Sequence, residues 1–454
     1  MGREEEILMD YIISNGTVVN EGTLTQRDLF IHNGLIVENA ASLHNPQTFS
    51  AKGCYVLPGV IDTHVHFRDP GFPAKADFAT ESRAALAGGV TSVIDMPNTN
   101  PQTTTLALLE EKEQIAASKS AVNYGFMLGA TNDNIDELLA IDPLRYAAIK
   151  LFLGSSTGNM LVNKADVLDK LFSESRKLIV AHCEDESIIQ ANLRNYKMEF
   201  AGKEGENAAL HPKIRNREAC FVSTYKAVER ARKYNTRLHV AHISTSTELS
   251  LFSNKSVEEK NITAEVTPNH LWFDDRDYAE LGNKIKCNPA IKSNDDRIGL
   301  WGGLVDGVVD TIATDHAPHT LAEKEQRYFD APGGIPSIQH SLQMMMEGFF
   351  NPAARERDDH DEVMQEWLPL IVSKMCHNPA VIFGIENRGF IRPGYYADLA
   401  ILEPGEEVVT PKSLLYKCGW SPLEGQTLHT RLRQVFLNGM PAGQSTAMAL
   451  KFTK

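Results

Sequence analysis

The chain has 454 residues, with 45 Lys and Arg against 59 Asp and Glu, and therefore a formal net charge of −14 at pH 7. With 42% hydrophobic and 23% charged residues, it has the composition of an ordinary globular protein. The acidic balance argues against nucleic acid or an anionic membrane as the main partner.

The chain start and the cysteines bear on location. The first ten residues lack the basic start and apolar core of a signal peptide, and no apolar stretch is long enough to cross a bilayer. The six cysteines are scattered, without a Cys-x-x-Cys pair. We therefore expect a cytoplasmic protein with reduced thiols.

Both ends of the chain predict β structure around a central alternating region. Tyr11 to Val37 carries turn signals at Asn15-Gly16, Glu21-Gly22 and Asn33-Gly34 and predicts short strands. Ile391 to Glu403 and Arg433 to Gly439 predict β structure in the same way. We expect these ends to pair into one small discontinuous β-sandwich domain, residues 1–57 and 386–454, beside a barrel domain of residues 58–385.

Eight short apolar or β-branched runs alternate with segments of helical pattern. The runs are Tyr55–Asp62, Val90–Met96, Val122–Ala130, Ala147–Leu153, Lys177–His182, Arg237–Ile243, Ile262–Val266 and Gly307–Thr314. Helices are predicted over Asp77–Ala87, Leu106–Ser118, Lys164–Ser175, Glu218–Lys233 and Ser246–Ser253. Near-continuous apolar runs suit parallel strands that are buried on both faces. The pattern predicts an α/β fold, a closed (β/α)8 barrel of the TIM type, with its chemistry at the carboxyl ends of the strands.

Metal-binding residue types fall at these strand ends. His64 and His66 follow the first strand, and side chains two residues apart in an extended segment point the same way. Lys150 lies inside an apolar run, where a charged amine is costly. The other candidates at strand ends are His182, His242 and Asp315. A single such residue is often structural, but six of them converging on one barrel mouth predict a metal site.

Seven segments together resemble a known family. They are PGVIDTHVHFRDPG, DMPNTNP, IKLFLG, AHCED, HVAHIST, EVTPNHL and ATDHAPHT. In this order, they are similar to the amidohydrolase superfamily, and specifically to dihydroorotases of the long, barrel-plus-sandwich type. The resemblance implies reversible cyclisation of N-carbamoyl-L-aspartate to dihydroorotate, with loss of water, in pyrimidine synthesis.

The resemblance also implies two divalent cations, zinc in most members. The implied ligands are His64, His66 and Asp315 for one ion and His182 and His242 for the other. Lys150 would be N-carboxylated and would bridge both, because a carbamate offers anionic oxygens where an ammonium repels metals. The two ions would lower the pKa of the attacking water. Asp315 would be the catalytic proton shuttle, and a purely structural ligand role is the alternative.

Substrate contacts are implied for four residues, each of which has a structural alternative in its loop. Arg68 lies two residues beyond His66, so on an extended chain it would face the same side as that histidine. Its guanidinium would bind the substrate carboxylate at two points. The other three implied contacts are Asn98, Asn288 and His319. The glycines of Ala331 to Pro336 would allow the backbone to approach the substrate ring.

Other functions and partners stay open. The alternatives are an allantoinase, a dihydropyrimidinase or hydantoinase, or a non-catalytic scaffold, although scaffolds tend to lose metal ligands. Arg68 disfavours the first three, since their substrates lack a ring carboxylate. We expect a homodimer, a possible association with aspartate transcarbamoylase, and a mobile cover loop over Gly154 to Met160.

Overall fold

The computed structural model describes residues 9–154, 160–350 and 360–453, and two sheets organise them. The first sheet contains β1 (Tyr11–Asn20), β2 (Thr23–His32), β3 (Leu35–Val37), β4 (Gln47–Ser50), β5 (Tyr55–Pro58), β14 (Leu399–Val408), β15 (Thr427–Leu437) and β16 (Met440–Pro441). The second sheet contains β6 (Val60–Val65), β7 (Val90–Asp95), β8 (Asn123–Gly129), β9 (Ala148–Phe152), β10 (Ile179–His182), β11 (Leu238–Val240), β12 (Ile262–Val266) and β13 (Thr311–Ile312).

The second sheet is the predicted barrel. Its strands pair in chain order from β6 to β13, and all the pairs are parallel. The backbone amide of His66 donates to the carbonyl of His316 at 2.8 Å, beside a parallel bridge from Val65 to His316. These contacts join the first strand to the segment after the last one and close the ring. The (β/α)8 prediction is confirmed.

Helices connect the strands. The α-helices span Phe78–Ala87, Leu106–Lys119, Ile135–Ala140, Ala165–Glu174, Glu186–Phe200, His211–Ile214, Arg217–Tyr234, Pro268–Trp272, Tyr278–Leu281, Asn294–Val305, Leu321–Lys324, Ser341–Phe350, His360–Val372 and Asn378–Phe383. Four of the five predicted helices match these bounds closely. The fifth, Ser246–Ser253, is a 3₁₀ helix over Ser246–Leu251 that begins with a capping box between Thr245 and Glu248.

The first predicted barrel strand is wrong in its extent, because the chain changes sheets inside it. β5 ends at Pro58 and pairs with β14, whereas β6 begins at Val60 and pairs with β7. Gly59 joins them, and a Cβ there would lie 2.1 Å from the Thr91 hydroxyl oxygen. Glycine therefore allows the close approach at the crossing.

The sheet at the chain ends corrects a predicted turn. Glu21-Gly22 and Asn33-Gly34 form the expected hairpin turns with positive φ at both residues. Asn15-Gly16 instead lies inside β1, where the register with β2 shifts and forms a bulge. β14 and β15 come from the C-terminal region and complete the same sheet, so both chain ends build it as predicted.

The C-terminal tail packs against the barrel as well. Leu450 donates its amide to the carbonyl of Tyr124 at the start of β8, and Leu450 and Phe452 join a buried cluster with Ile61 and Ile94. The tail thus shares a buried apolar cluster with residues of β6 and β7. All six cysteines are free. Among the described residues, no helix is both long and apolar enough to span a membrane.

Candidate metal centre and substrate cavity

A cavity of about 220 Å³ opens where the barrel strands end. All ten residues predicted for the site line it: His64, His66, Arg68, Asn98, Lys150, His182, His242, Asn288, Asp315 and His319. Their remaining neighbours at the wall include Phe152 and the backbone of Pro332–Gly334. The structure therefore brings the predicted residues together in one place.

The histidine pair after β6 is oriented by two hydrogen bonds. His64 donates from Nδ1 to the Glu265 carboxylate at 2.7 Å, and His66 donates from Nδ1 to Asn98 Oδ1 at 2.7 Å. Each bond fixes the orientation of its ring, and in both rings Nε2 is the nitrogen that faces Asp315. Both rings thus present a ligand nitrogen to the same point.

A second histidine pair lies across the cavity. His182 Nδ1 and His242 Nε2 face each other at 2.9 Å. His182 donates from Nε2 to Glu184 at 2.9 Å, and Arg215 makes an ion pair with that carboxylate. Burial lowers the pKa of both His182 and His242, so the rings are neutral near pH 7, which is the form that binds metal ions.

Asp315 lies beside the first histidine pair. Its Oδ1 lies 2.9 Å from His66 Nε2 and 3.3 Å from His64 Nε2. Burial alone would raise its pKa, but the neighbouring His64 and His66 rings outweigh burial and hold the pKa well below the usual range. Asp315 is therefore an ionised carboxylate throughout the neutral pH range.

Three functional candidates adopt strained backbone conformations. Arg68, His242 and Asp315 have φ values of 63°, 37° and 48°, in a region that side chains other than glycine rarely adopt. Each lies just after a barrel strand ends, and the turn in the chain directs its side chain into the cavity. Strain of this kind persists only where the surrounding structure enforces it.

Lys150 is buried in β9 with 1% of its surface exposed, and its Nζ has no hydrogen-bond partner among the described residues. Burial lowers its pKa to about 8. An unpartnered ammonium in the interior is costly, whereas a carbamate formed on the neutral amine would be an anionic ligand beside four imidazoles. The lysine therefore fits a metal-bridging role better than a structural one.

The donor set fits divalent cations. One ligand atom each from His64, His242 and Asp315 lies within 4.8 Å of the others. Imidazole nitrogens with a carboxylate oxygen are a ligand set typical of zinc and related ions. With His66, His182 and Lys150 on the same cavity wall, the residues present could hold two ions.

Arg68 reaches the cavity by a different route from the one predicted. β6 ends at Val65, and the left-handed turn at Arg68, rather than a continued extended chain, places its side chain on the cavity wall. Arg68 Nη2 lies 3.2 Å from His319 Nε2, and no carboxylate among the described residues is within ion-pair distance of the guanidinium. This arrangement leaves the positive charge available to an anionic ligand.

His319 and Asn288 occupy the same side of the cavity. Lys75 lies 3.0 Å from His319 Nδ1, so that nitrogen accepts and Nε2 donates to the carbonyl of Gly333 at 3.1 Å. Asn288 Oδ1 lies 3.2 Å from His211 Nε2, and a Cβ at Gly333 would come within 3.0 Å of the Asn288 amide. The glycine loop therefore packs closely against the predicted substrate contacts.

The family assignment follows from a sequence comparison. The model of the amidohydrolase family matches residues 55–440. The chain belongs to the amidohydrolase family. It is thus a hydrolytic enzyme, in a family whose members generally use two metal ions.

Relatives of this amidohydrolase carry different names. It is 31% identical to the dihydroorotase of Methanosphaera stadtmanae over 427 residues, which are 91% of this chain and 93% of that protein. It is 30% identical to an allantoinase of Escherichia coli, over 95% and 94% of the two chains. Its structure resembles the L-hydantoinase of Arthrobacter aurescens with a TM-score of 0.86, 25% identity and 98% coverage of both chains. These identities do not separate the three reactions.

Sequence reasoning missed three residues of the amidohydrolase site. Glu265 and Glu184 orient His64 and His182, and Lys75 orients His319. Glu265 carried a detectable signal, since it is an acid inside the apolar run ITAEV. The predicted cover loop over Gly154 to Met160 lies mainly outside the described residues, which omit 155–159.

Proposed function

We propose that this amidohydrolase is a dihydroorotase, which reversibly cyclises N-carbamoyl-L-aspartate to dihydroorotate with loss of water. The observation that carries the proposal is the guanidinium of Arg68 on the cavity wall, without a carboxylate partner among the described residues. Burial lowers its pKa, because the charged form has lost part of its hydration. A substrate carboxylate would replace that hydration with charge-assisted hydrogen bonds.

Alternative substrates lack this complementary group. Dihydrouracil has the same ring without the carboxylate, and allantoin offers a ureido group instead. Either ligand would leave the Arg68 guanidinium in the cavity without an anion, which is unfavourable for a partly buried charge. The cavity therefore favours an anionic cyclic amide over its neutral relatives.

We assign the metal ligands as His64, His66, His182, His242, Asp315 and an N-carboxylated Lys150. When bound, the two divalent cations would polarise the substrate carbonyl and lower the pKa of the attacking water. Carboxylation joins the neutral Nζ of Lys150 to the carbon of carbon dioxide and releases one proton. The lowered pKa of Lys150 supports this step, because it increases the neutral fraction of the amine near pH 7.

Asp315 is the proton carrier in this proposal. Its ionised carboxylate would accept a proton from the attacking water during hydrolysis and deliver it to the ring nitrogen that leaves. In the biosynthetic direction, the same carboxylate would accept the proton from the nitrogen that closes the ring and deliver it to the oxygen that leaves as water. Glu265 and Asn98 keep His64 and His66 in the orientations in which their Nε2 atoms face this carboxylate.

Turnover of three substrates in parallel tests the proposal. The purified protein, supplied with zinc, is assayed on dihydroorotate, allantoin and dihydrouracil, each with a chelator-treated control. Chelator-sensitive turnover of dihydroorotate alone is the expected result. Preference for either other substrate would overturn the substrate assignment, and no turnover by zinc-loaded protein would favour a scaffold role. The homodimer, the association with aspartate transcarbamoylase and the cytoplasmic location stay predictions.

A further inference from the structure

Lys324 is a buried cation whose hydrogen bonds, among the described residues, go to backbone carbonyls, and its ammonium also lies 5.8 Å from the centre of the Trp420 ring. It has 2% of its surface exposed, and its Nζ donates to the carbonyls of Lys286, Pro332 and Gly334 at 3.1, 3.0 and 2.9 Å. An ammonium has three N–H donors, and these three bonds use all of them. No carboxylate among the described residues lies within ion-pair distance of Lys324. This buried charge is therefore stabilised by the loop that it holds.

The loop in question forms one wall of the substrate cavity. The carbonyls of Pro332 and Gly334 turn toward Lys324, whereas the carbonyl between them, that of Gly333, accepts from His319 Nε2 at 3.1 Å. The amide of Gly334 also donates to the Lys286 carbonyl at 2.8 Å. Because the carbonyls of Pro332 and Gly334 are held by Lys324, the carbonyl of Gly333 between them is fixed in its orientation toward His319.

We infer that Lys324 is a positioning residue for substrate binding, which holds Pro332–Gly334 so that Gly333 and His319 keep a fixed hydrogen-bonding arrangement beside Arg68. Lys324 does not line the cavity itself, so its effect passes through the backbone of the loop. Loss of the ammonium would leave the buried carbonyls of Pro332 and Gly334 without donors, and the loop would relax away from this arrangement. The Lys286 carbonyl would keep the Gly334 amide as its donor. The inference rests on the proposed function only for the identity of the substrate.

The charge state of Lys324 adds a measurable signature. Burial lowers the pKa of Lys324 to about 7. The positive charges of Lys286 and Arg68 also lower this pKa, whereas Cys287 and Glu323 raise it. A neutral amine has only two N–H donors, so one of the three hydrogen bonds of Lys324 is lost and its hold on the loop weakens as the pH rises past neutrality. KM should therefore increase with pH in this range.

Lys286 provides an internal contrast to this signature. Burial lowers its pKa to about 8, but among the residues that the structure describes its Nζ donates to two carbonyls rather than three, those of Tyr328 and Ala331. Its neutral form retains enough donors for both. Titration of Lys286 is thus not expected to release the loop.

The test compares Lys324→Met with Lys374→Met in the full chain. Lys374 is a matched control, because it is also buried and donates to a backbone carbonyl, but that carbonyl belongs to Val309, which neither lines this cavity nor lies in the Pro332–Gly334 loop. For Lys324→Met, we expect KM to rise by about tenfold or more on whichever cyclic amide the wild type hydrolyses, with kcat changed by less than about threefold. For Lys374→Met, we expect an unchanged KM.

Two further measurements keep the inference independent of folding and of the substrate. Lys324→Arg retains the charge and should remove the rise of KM with pH, because an arginine does not deprotonate in this range. Hydrogen exchange over residues 328–336 should be faster in Lys324→Met than in wild type and in Lys374→Met, whatever the enzyme hydrolyses. An unchanged KM, an equal effect in the control or unchanged exchange overturns the inference. A wild type that prefers allantoin or dihydrouracil overturns only the proposed function.

Discussion

Replacing Arg68 by methionine removes the guanidinium and keeps a long unbranched side chain in its place. Arg68 is partly buried on the cavity wall and lies beside His319 rather than a carboxylate, so its charge is available to the substrate. A hydrogen bond to a charged group contributes about 1.5–3 kcal/mol, which corresponds to roughly 10- to 150-fold in kcat/KM. We expect this loss on dihydroorotate.

The assay compares two substrates that differ by the carboxylate. Arg68→Met should lower kcat/KM on dihydroorotate but leave any turnover of dihydrouracil nearly unchanged, with an unaltered metal content. Arg68→Lys is the matched variant, and its kcat/KM on dihydroorotate should lie between those of the wild type and Arg68→Met. An ammonium keeps the charge but cannot make a two-point contact. A loss below about tenfold, or an equal loss on both substrates, would refute the role of Arg68 as the carboxylate anchor.

Three further predictions concern the metal bridge, the sheet crossing and the buried histidines. Lys150→Ala should lose activity and bound metal, with partial recovery on addition of a short carboxylic acid; full retention without the acid would exclude a bridging carbamate. Gly59→Ala should lower the free energy of unfolding by about 1–3 kcal/mol, because its Cβ would clash with Thr91. Gly302→Ala is the control and should not lower it, since nothing lies within 4 Å of a Cβ there. Equal denaturation midpoints for the two variants would contradict this prediction. Burial lowers the pKa of His270 and His340 to about 4, so the unfolded chain takes up these protons first as the pH falls below about 6.5. The metal-free protein should therefore lose up to about 1.4 kcal/mol of unfolding free energy per pH unit for each histidine between about pH 6.5 and 4, and urea titrations that show no loss would disprove it.

The barrel and the candidate metal ligands at its mouth were predictable because both follow from burial. Apolar runs such as ITAEV produce parallel strands, and a lysine inside the run AAIKLFL is costly enough to indicate chemistry. The carboxyl ends of parallel strands meet at one mouth, so residues distant in sequence were expected to converge. The cavity contains all six of these strand-end residues, together with the four substrate contacts that were predicted with the help of the family resemblance.

The remaining features depend on backbone geometry and on contacts between distant segments. The change of sheet at Gly59 requires knowledge that Tyr55–Pro58 pairs with β14, which lies more than three hundred residues away in the chain. The left-handed turn at Arg68 breaks the alternation used to place it. Lys75 and Lys324 act on His319 and Pro332–Gly334 through folded loops, and no local pattern distinguishes them from surface lysines.

The left-handed conformations at Arg68, His242 and Asp315 have an evolutionary consequence. Glycine adopts such conformations without strain, so substitution by glycine would relieve about 1 kcal/mol at each position. The strain offsets part of what the contacts of each side chain contribute, so the groups that we assign to substrate, metal and proton transfer add less to thermal stability than their burial suggests. Laboratory evolution of this chain for heat tolerance therefore needs a simultaneous selection for turnover, because stability alone protects these three positions weakly.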